Sequence, residues 1–106
     1  MESKTKAQTF IGFAMRKGSF KIGVNAIYTL KRASLLIVCS TAGADTNRQA
    51  IKLAKRFNCK LLKIIRPLME VTHKENAKLM AITDNALASA IIENGEKEFI
   101  LVDLGE

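Results

Sequence analysis

Leu35-Leu36-Ile37-Val38-Cys39-Ser40-Thr41-Ala42-Gly43-Ala44-Asp45 decides how this 106-residue chain folds. By length and content, the apolar run Leu35–Cys39 reads as a strand buried on both faces. Ser40-Thr41-Ala42-Gly43-Ala44 is a loop of small residues. Asp45 is a good N-cap and introduces a helix over about Thr46–Phe57. In that helix Ala50, Leu53, Ala54 and Phe57 fall on one side, and Arg48, Lys52, Lys55 and Arg56 form an outer basic face. Asn58 ends the helix, and Lys60–Ile64 is the next strand.

The same reading extends in both directions. Ala7, Phe10, Ile11 and Ala14 recur at i, i+3, i+4, i+7, an amphipathic first helix that stops at Gly18. A short extended piece around Phe20-Lys21 leads to Gly23 and a second helix, about Val24–Arg32. Its apolar side is Val24, Ile27 and Leu30, and Asn25, Thr29 and Arg32 make one polar stripe. Downstream, Pro67 belongs to the first turn of a short helix to about Thr72. Lys78–Thr83 reads as a buried strand, and Asp84 caps a helix to about Asn94 that Gly95 stops. Phe99–Val102 is either an edge strand or a packed tail. Helices alternating with short apolar strands define an α/β fold, a sheet covered on both faces, in one domain over residues 1–106.

Composition narrows the function classes. Hydrophobic residues make up 48% and charged residues 25%, which is globular. The net charge is +7, and it is unevenly placed. Residues 1–32 hold seven Lys/Arg and one acid, residues 33–70 seven and two, and residues 71–106 three and seven. A polarised surface and a polyanionic partner are the expectation. Cys39 and Cys59 lie in or beside apolar runs and read as small buried hydrophobes. With the single His73 they lack zinc-site spacing, so no metal or cofactor is expected. No phosphate-binding loop, nucleophile elbow, carboxylate pair or metal triad is present, so an enzyme is not expected. There is no export segment or membrane span, and a cytoplasmic location follows as an expectation.

The functional signal lies in Arg16-Lys17-Gly18-Ser19-Phe20-Lys21-Ile22-Gly23-Val24-Asn25. Two glycines permit tight bends and close approach to a partner. The helix that follows directs unpaired N–H groups and its positive end at the turn, which favours phosphate. Asn25 carries an amide able to bond a base edge, with an N-cap as its plainer alternative. The combination reads as a nucleic-acid contact.

These residues resemble the ribosomal-protein superfamily that binds kink-turn RNA, which includes the archaeal large-subunit kink-turn protein, and most of all its bacterial YlxQ-type members. The resemblance runs from about Thr9 to Glu93. It rests on Ile11-Gly12-Phe13-Ala14-Met15-Arg16-Lys17-Gly18, Lys21-Ile22-Gly23-Val24-Asn25, Leu35–Cys39, Asp45-Thr46-Asn47 and Met80-Ala81-Ile82-Thr83-Asp84, taken in order and spacing. It implies a three-layer α/β/α sandwich with a mixed sheet, here of four strands plus the optional C-terminal edge. It also implies structured RNA as partner, ribosomal or another kink-turn RNA, on the ribosome or off it, with neither DNA nor membrane expected. The implied RNA-binding residues are Lys17, Lys21, Gly23, Asn25, Thr29 and Arg32 at the turn and helix. Ser40 and Thr41 in the loop after the first buried strand follow, then Lys74, Glu75 and Asn76 before the last core strand. The chain departs from the family at Ala26 and Thr29, where archaeal and eukaryotic kink-turn readers carry Glu and Lys. It departs again at Met69 and His73, where relatives often carry glycine. These departures bear on base discrimination more than on phosphate contacts. The alternative function is a ribosome-associated adaptor with only non-specific RNA affinity.

Overall fold

The computed structural model describes residues 5–75, 77–95 and 98–105. In chain order the elements are α1 (Lys6–Lys17), β1 (Phe20–Ile22), α2 (Val24–Tyr28), β2 (Leu35–Cys39) and α3 (Ala44–Phe57), then β3 (Lys60–Ile64), α4 (Leu68–Thr72), β4 (Leu79–Ile82), α5 (Asn85–Glu93) and β5 (Phe99–Leu101). The strands form one sheet in the order β1-β4-β2-β3-β5. β2 and β3 run parallel, joined by the α3 crossover, and the remaining neighbours are antiparallel.

All five residues of β2 are buried, because the strand is central and covered on both sides. Leu35, Ile37 and Cys39 point into one core, with Ala7, Ile11 and Ala14 of α1, Leu68 of α4, Met80 and Ile82 of β4, and Ala88 and Ile91 of α5. Leu36 and Val38 point into the other core, with Ile27 of α2 and Ala50, Leu53 and Ala54 of α3. This is the two-residue alternation of a pleated strand, with an apolar layer on each face. α1, α4 and α5 therefore cover one face of the sheet, and α2 and α3 the other.

The sheet has five strands where four were expected. Phe99–Leu101 is the edge strand that the sequence left open, paired antiparallel with β3 through Ile64↔Phe99 and Leu62↔Leu101. A buried carboxylate helps hold it there. Glu98 accepts from the Thr5 hydroxyl at 2.7 Å and the Gln8 amide at 2.6 Å, and lies 3.4 Å from Arg66. The Glu98 carbonyl also accepts the Ile65 N–H at 2.9 Å, extending the ladder past β3.

Two element ends differ from expectation for local reasons. α2 stops at Tyr28, because the Thr29 and Leu30 N–H groups bond back only three residues, to Ala26 and Ile27. The Thr29 hydroxyl donates to the Ala26 carbonyl at 2.6 Å, so Thr29 closes the helix and Arg32 lies beyond it. α3 begins at Ala44 with Gly43 as its cap, and Asp45 lies within the first turn. The Asn47 amide instead serves the loop, donating to the Ala42 and Gly43 carbonyls at 3.2 and 3.0 Å. α5 ends where expected, with Asn94 as its cap and Gly95 following.

Gly95 is required for a different reason, close approach. A Cβ there would run into the Phe99 ring and the Ile91 carbonyl. Gly95→Ala is expected to cost about 1–3 kcal/mol through overpacking, lowering the urea midpoint with an unchanged m-value.

Candidate nucleic-acid interface

The sheet register gathers three of the expected segments at one end. β1 ends beside the start of β4 (Ile22↔Met80), and the start of β4 lies beside the end of β2 (Val38↔Leu79). The connection after β1, the loop after β2 and the loop before β4 are therefore neighbours. Hydrogen bonds tie them together: the Gly23 N–H donates to the Leu79 carbonyl at 2.9 Å, and the Cys39 N–H to the Lys78 carbonyl at 2.7 Å. The Lys78 ammonium donates to the Thr41 hydroxyl at 2.7 Å. Gly23, Asn25, Ser40, Thr41, Lys74 and Glu75 all belong to this end, whereas Asn76 lies outside the described residues.

Gly23 holds φ 97° and ψ 144°, a conformation that side-chain-bearing residues rarely adopt. That turn lets the chain leave β1 and enter α2 immediately. Asn25 is exposed, lies inside α2 rather than at its cap, and makes no side-chain hydrogen bond among the described residues. It is not the helix cap that was its plainer reading, since Gly23 occupies that position. α2 has only five residues, so the helix-end field expected at the turn is weak; aligned peptide dipoles must accumulate over several turns to act as a charge.

Lys17 and Arg32 lie at the other end of the sheet. Lys17 forms an ion pair with Asp84, which follows β4. The Ser34 N–H donates to the Ile82 carbonyl at 2.8 Å, so Arg32, two residues earlier, is near the same end. The four residues of β4 separate the ends by about 10 Å. Lys21 is between them: Phe20 and Ile22 pack into the α1-side core, which turns the exposed Lys21 side chain toward the α2–α3 side. Thr29 has its hydroxyl committed to Ala26, as described above.

Lys78 is the residue at the loop end that the sequence reading passed over, having taken it as the first residue of a strand. β4 begins one residue later, leaving Lys78 exposed at the junction of two loops. A cavity of about 210 Å³ opens beside it, lined by Cys39, Thr41, Pro67, Met69, Ala77 and Lys78. The Cys39 sulfur accepts the Leu68 N–H at 3.3 Å and lies 3.1 Å from the Thr41 hydroxyl. Burial pushes the Cys39 thiol up, but the Thr41 hydroxyl, the Leu68 and Thr41 backbone and the Lys78 charge together hold it below its ordinary value. Burial alone acts on Cys59, whose pKa is pushed up to about 11. Among the described residues no cluster of His, Cys, Asp and Glu has the makings of a metal site, and no helix is long and apolar enough to cross a membrane.

No protein-family model and no curated protein matches the chain. A solved structure of a protein with unknown function from Bacillus halodurans is similar, with a TM-score of 0.72 at 17% identity over 85% of this chain and 96% of that one. At that identity the likeness concerns the fold.

The Lys17–Asp84 pair makes a measurable prediction. Asp84 caps α5 by accepting the Leu87 N–H at 2.9 Å, and the Lys17 hydrogen bond, followed by that amide, holds its carboxyl below the ordinary carboxylate value. A lowered folded pKa contributes stability that is present above the ordinary value and lost as pH falls toward the lowered one. In Asp84→Asn the cap persists, since Asn caps about as well, but the titrating charge is gone. Unfolding free energy followed from about pH 5 downward is expected to fall less steeply in Asp84→Asn than in the wild type. Parallel curves would mean that the ion pair contributes nothing.

Proposed function

We propose that this protein binds structured RNA of the kinked, kink-turn type and catalyses no reaction, as its resemblance to kink-turn-binding ribosomal proteins implies. The observation that carries the reading is the convergence of the Gly23–Asn25 turn, the Ser40-Thr41 loop and the residues Lys74, Glu75 and Lys78 at one end of the sheet, on a chain of net charge +7. Three short segments from three distant parts of the sequence make a surface that touches a bent backbone at several points and a straight one at fewer. Lys21, Lys74 and Lys78 supply phosphate neutralisation, and the Gly23 turn supplies close approach. Asn25, exposed and without a protein partner among the described residues, is free to pair with a purine edge. An RNA that samples straight and bent forms is held bent, because the bent form alone gains all the contacts. The RNA is ribosomal or another kink-turn RNA, met in the cytoplasm.

A second reading, the ribosome-associated adaptor with only non-specific RNA affinity, draws on the opposite edge of the sheet. Ile100 and Leu101 on β5 are 57% and 61% exposed, beside a groove of about 410 Å³ lined by Cys59, Leu61 and Val102–Leu104.

A gel shift with a kink-turn RNA and a matched straight duplex, at two salt concentrations, separates the readings. Preference for the kinked RNA is expected, and Asn25→Ala is expected to remove about 1–3 kcal/mol of that preference without lowering the melting temperature. Lys78→Ala is expected to weaken binding to both RNAs and reduce the salt slope by about 1. Equal affinity of the wild type for both RNAs would favour the adaptor, and no binding to either would end the RNA reading.

A further inference from the structure

We propose that α3 is a second track for the RNA backbone, on which a helical arm leaving the loop end of the sheet lies; this rests on the RNA reading above. Arg48, Lys52 and Lys55 recur at i, i+4, i+7 and are all exposed, on the side of α3 opposite Ala50, Leu53 and Ala54. At about 1.5 Å per residue the stripe is about 10 Å long. It begins one turn into a helix that starts directly after the Ser40–Gly43 loop, so it continues the loop-end surface without a break.

These cations have little to neutralise them within the protein. Arg48 approaches Asp45 at 3.6 Å, but both side chains are largely exposed and such a pair contributes little. No ion pair engages Lys52 or Lys55 among the described residues. Arg56, one residue further on, is different. Its guanidinium donates to the Tyr28 carbonyl at 3.3 Å and lies 6.0 Å from the Tyr28 ring and 5.4 Å from the Phe57 ring. Arg56 therefore fastens α2 to α3, with the Tyr28 hydroxyl donating to Gln49 at 2.6 Å as a second tie. Lys31 and Arg32, exposed beyond α2, add to the same layer. The α1–α4–α5 layer mixes signs, with Lys6, Arg16 and Lys17 against Glu70, Asp84 and Glu93.

The partner that fits is one with regular, closely spaced anionic charge over at least 10 Å, which describes a nucleic-acid helix carrying a charge about every 3.4 Å on each strand. A membrane surface fits less well. A membrane-bound helix places apolar side chains beside its cations, and the apolar side of α3 is buried in the core.

The test is the full chain carrying Arg48→Gln, Lys52→Gln and Lys55→Gln together, which keeps good helix formers in α3. Kink-turn RNAs with a long arm and with that arm cut to a few base pairs are compared between about 50 and about 200 mM salt. For the long-arm RNA, the slope of log K against log salt is expected to become shallower by about 2–3, with an unchanged melting temperature. The cut RNA is expected to bind wild type and variant equally. Unchanged slope and affinity for the long-arm RNA would overturn the track while leaving the loop-end reading intact, and a wild type that binds neither RNA would overturn both. Wild-type binding to phosphatidylserine vesicles that the variant loses, with the RNA slope unchanged, would assign the stripe to a membrane instead.

Discussion

Burial of β2 on both faces is the constraint on which the rest of the molecule depends. A strand with no exposed residue must have a hydrogen-bonding neighbour on each edge and an apolar layer above and below. β4 and β3 provide the edges, and the two helical layers provide the cover. A slip of one residue would exchange the Leu35, Ile37 and Cys39 set with Leu36 and Val38, presenting each to the wrong layer. The register is thus tightly specified. Because it is, the end of β2 meets the start of β4 in one place, and the loops that follow or precede those strands have no freedom to be elsewhere.

Charge follows from that geometry rather than from position in the chain. The acidic final third looks like one negative surface in the sequence, yet two of its carboxylates do separate structural tasks. Glu98 is 4% exposed and holds Thr5, Gln8 and Arg66 together behind β5. Asp84 caps α5 and pairs with Lys17. The basic residues divide as well. Lys17 and Arg56 are engaged within the protein, whereas Lys21, Lys52, Lys55 and Lys74 point outward without an ion-pair partner among the described residues. Counting cations therefore overstates the unneutralised positive surface, and their spatial grouping defines it better.

The two free thiols illustrate how environment overrides identity. Both belong beside apolar runs in the sequence, and both were expected to behave alike. Cys59 is half-buried, and loss of water around its sulfur alone opposes its ionisation. Cys39 ends β2 where backbone N–H groups, a hydroxyl and an ammonium converge, and those donors favour the thiolate more than burial opposes it.

Signals that are local in the chain were legible without the structure. The Leu35–Cys39 strand, the apolar side of α1, the amphipathic α3 with Asn58 at its end and the Asp84 cap each depend on residues a few positions apart, and they suffice for an α/β class with helices on both faces. Signals that depend on pairing between distant residues were not legible. The fifth strand needs Phe99 to meet Ile64, a pairing across 35 residues. Lys17 and Arg32, close to Gly23 in the sequence, are carried to the far end of the sheet because the chain runs the length of β1 one way and returns along α2. Lys78, far from Thr41 in the sequence, is brought to it by the β2–β4 register. Periodicity and capping are nearest-neighbour physics and are written in the sequence, while the membership of a surface is decided by strand register, which exists only once the cores have formed.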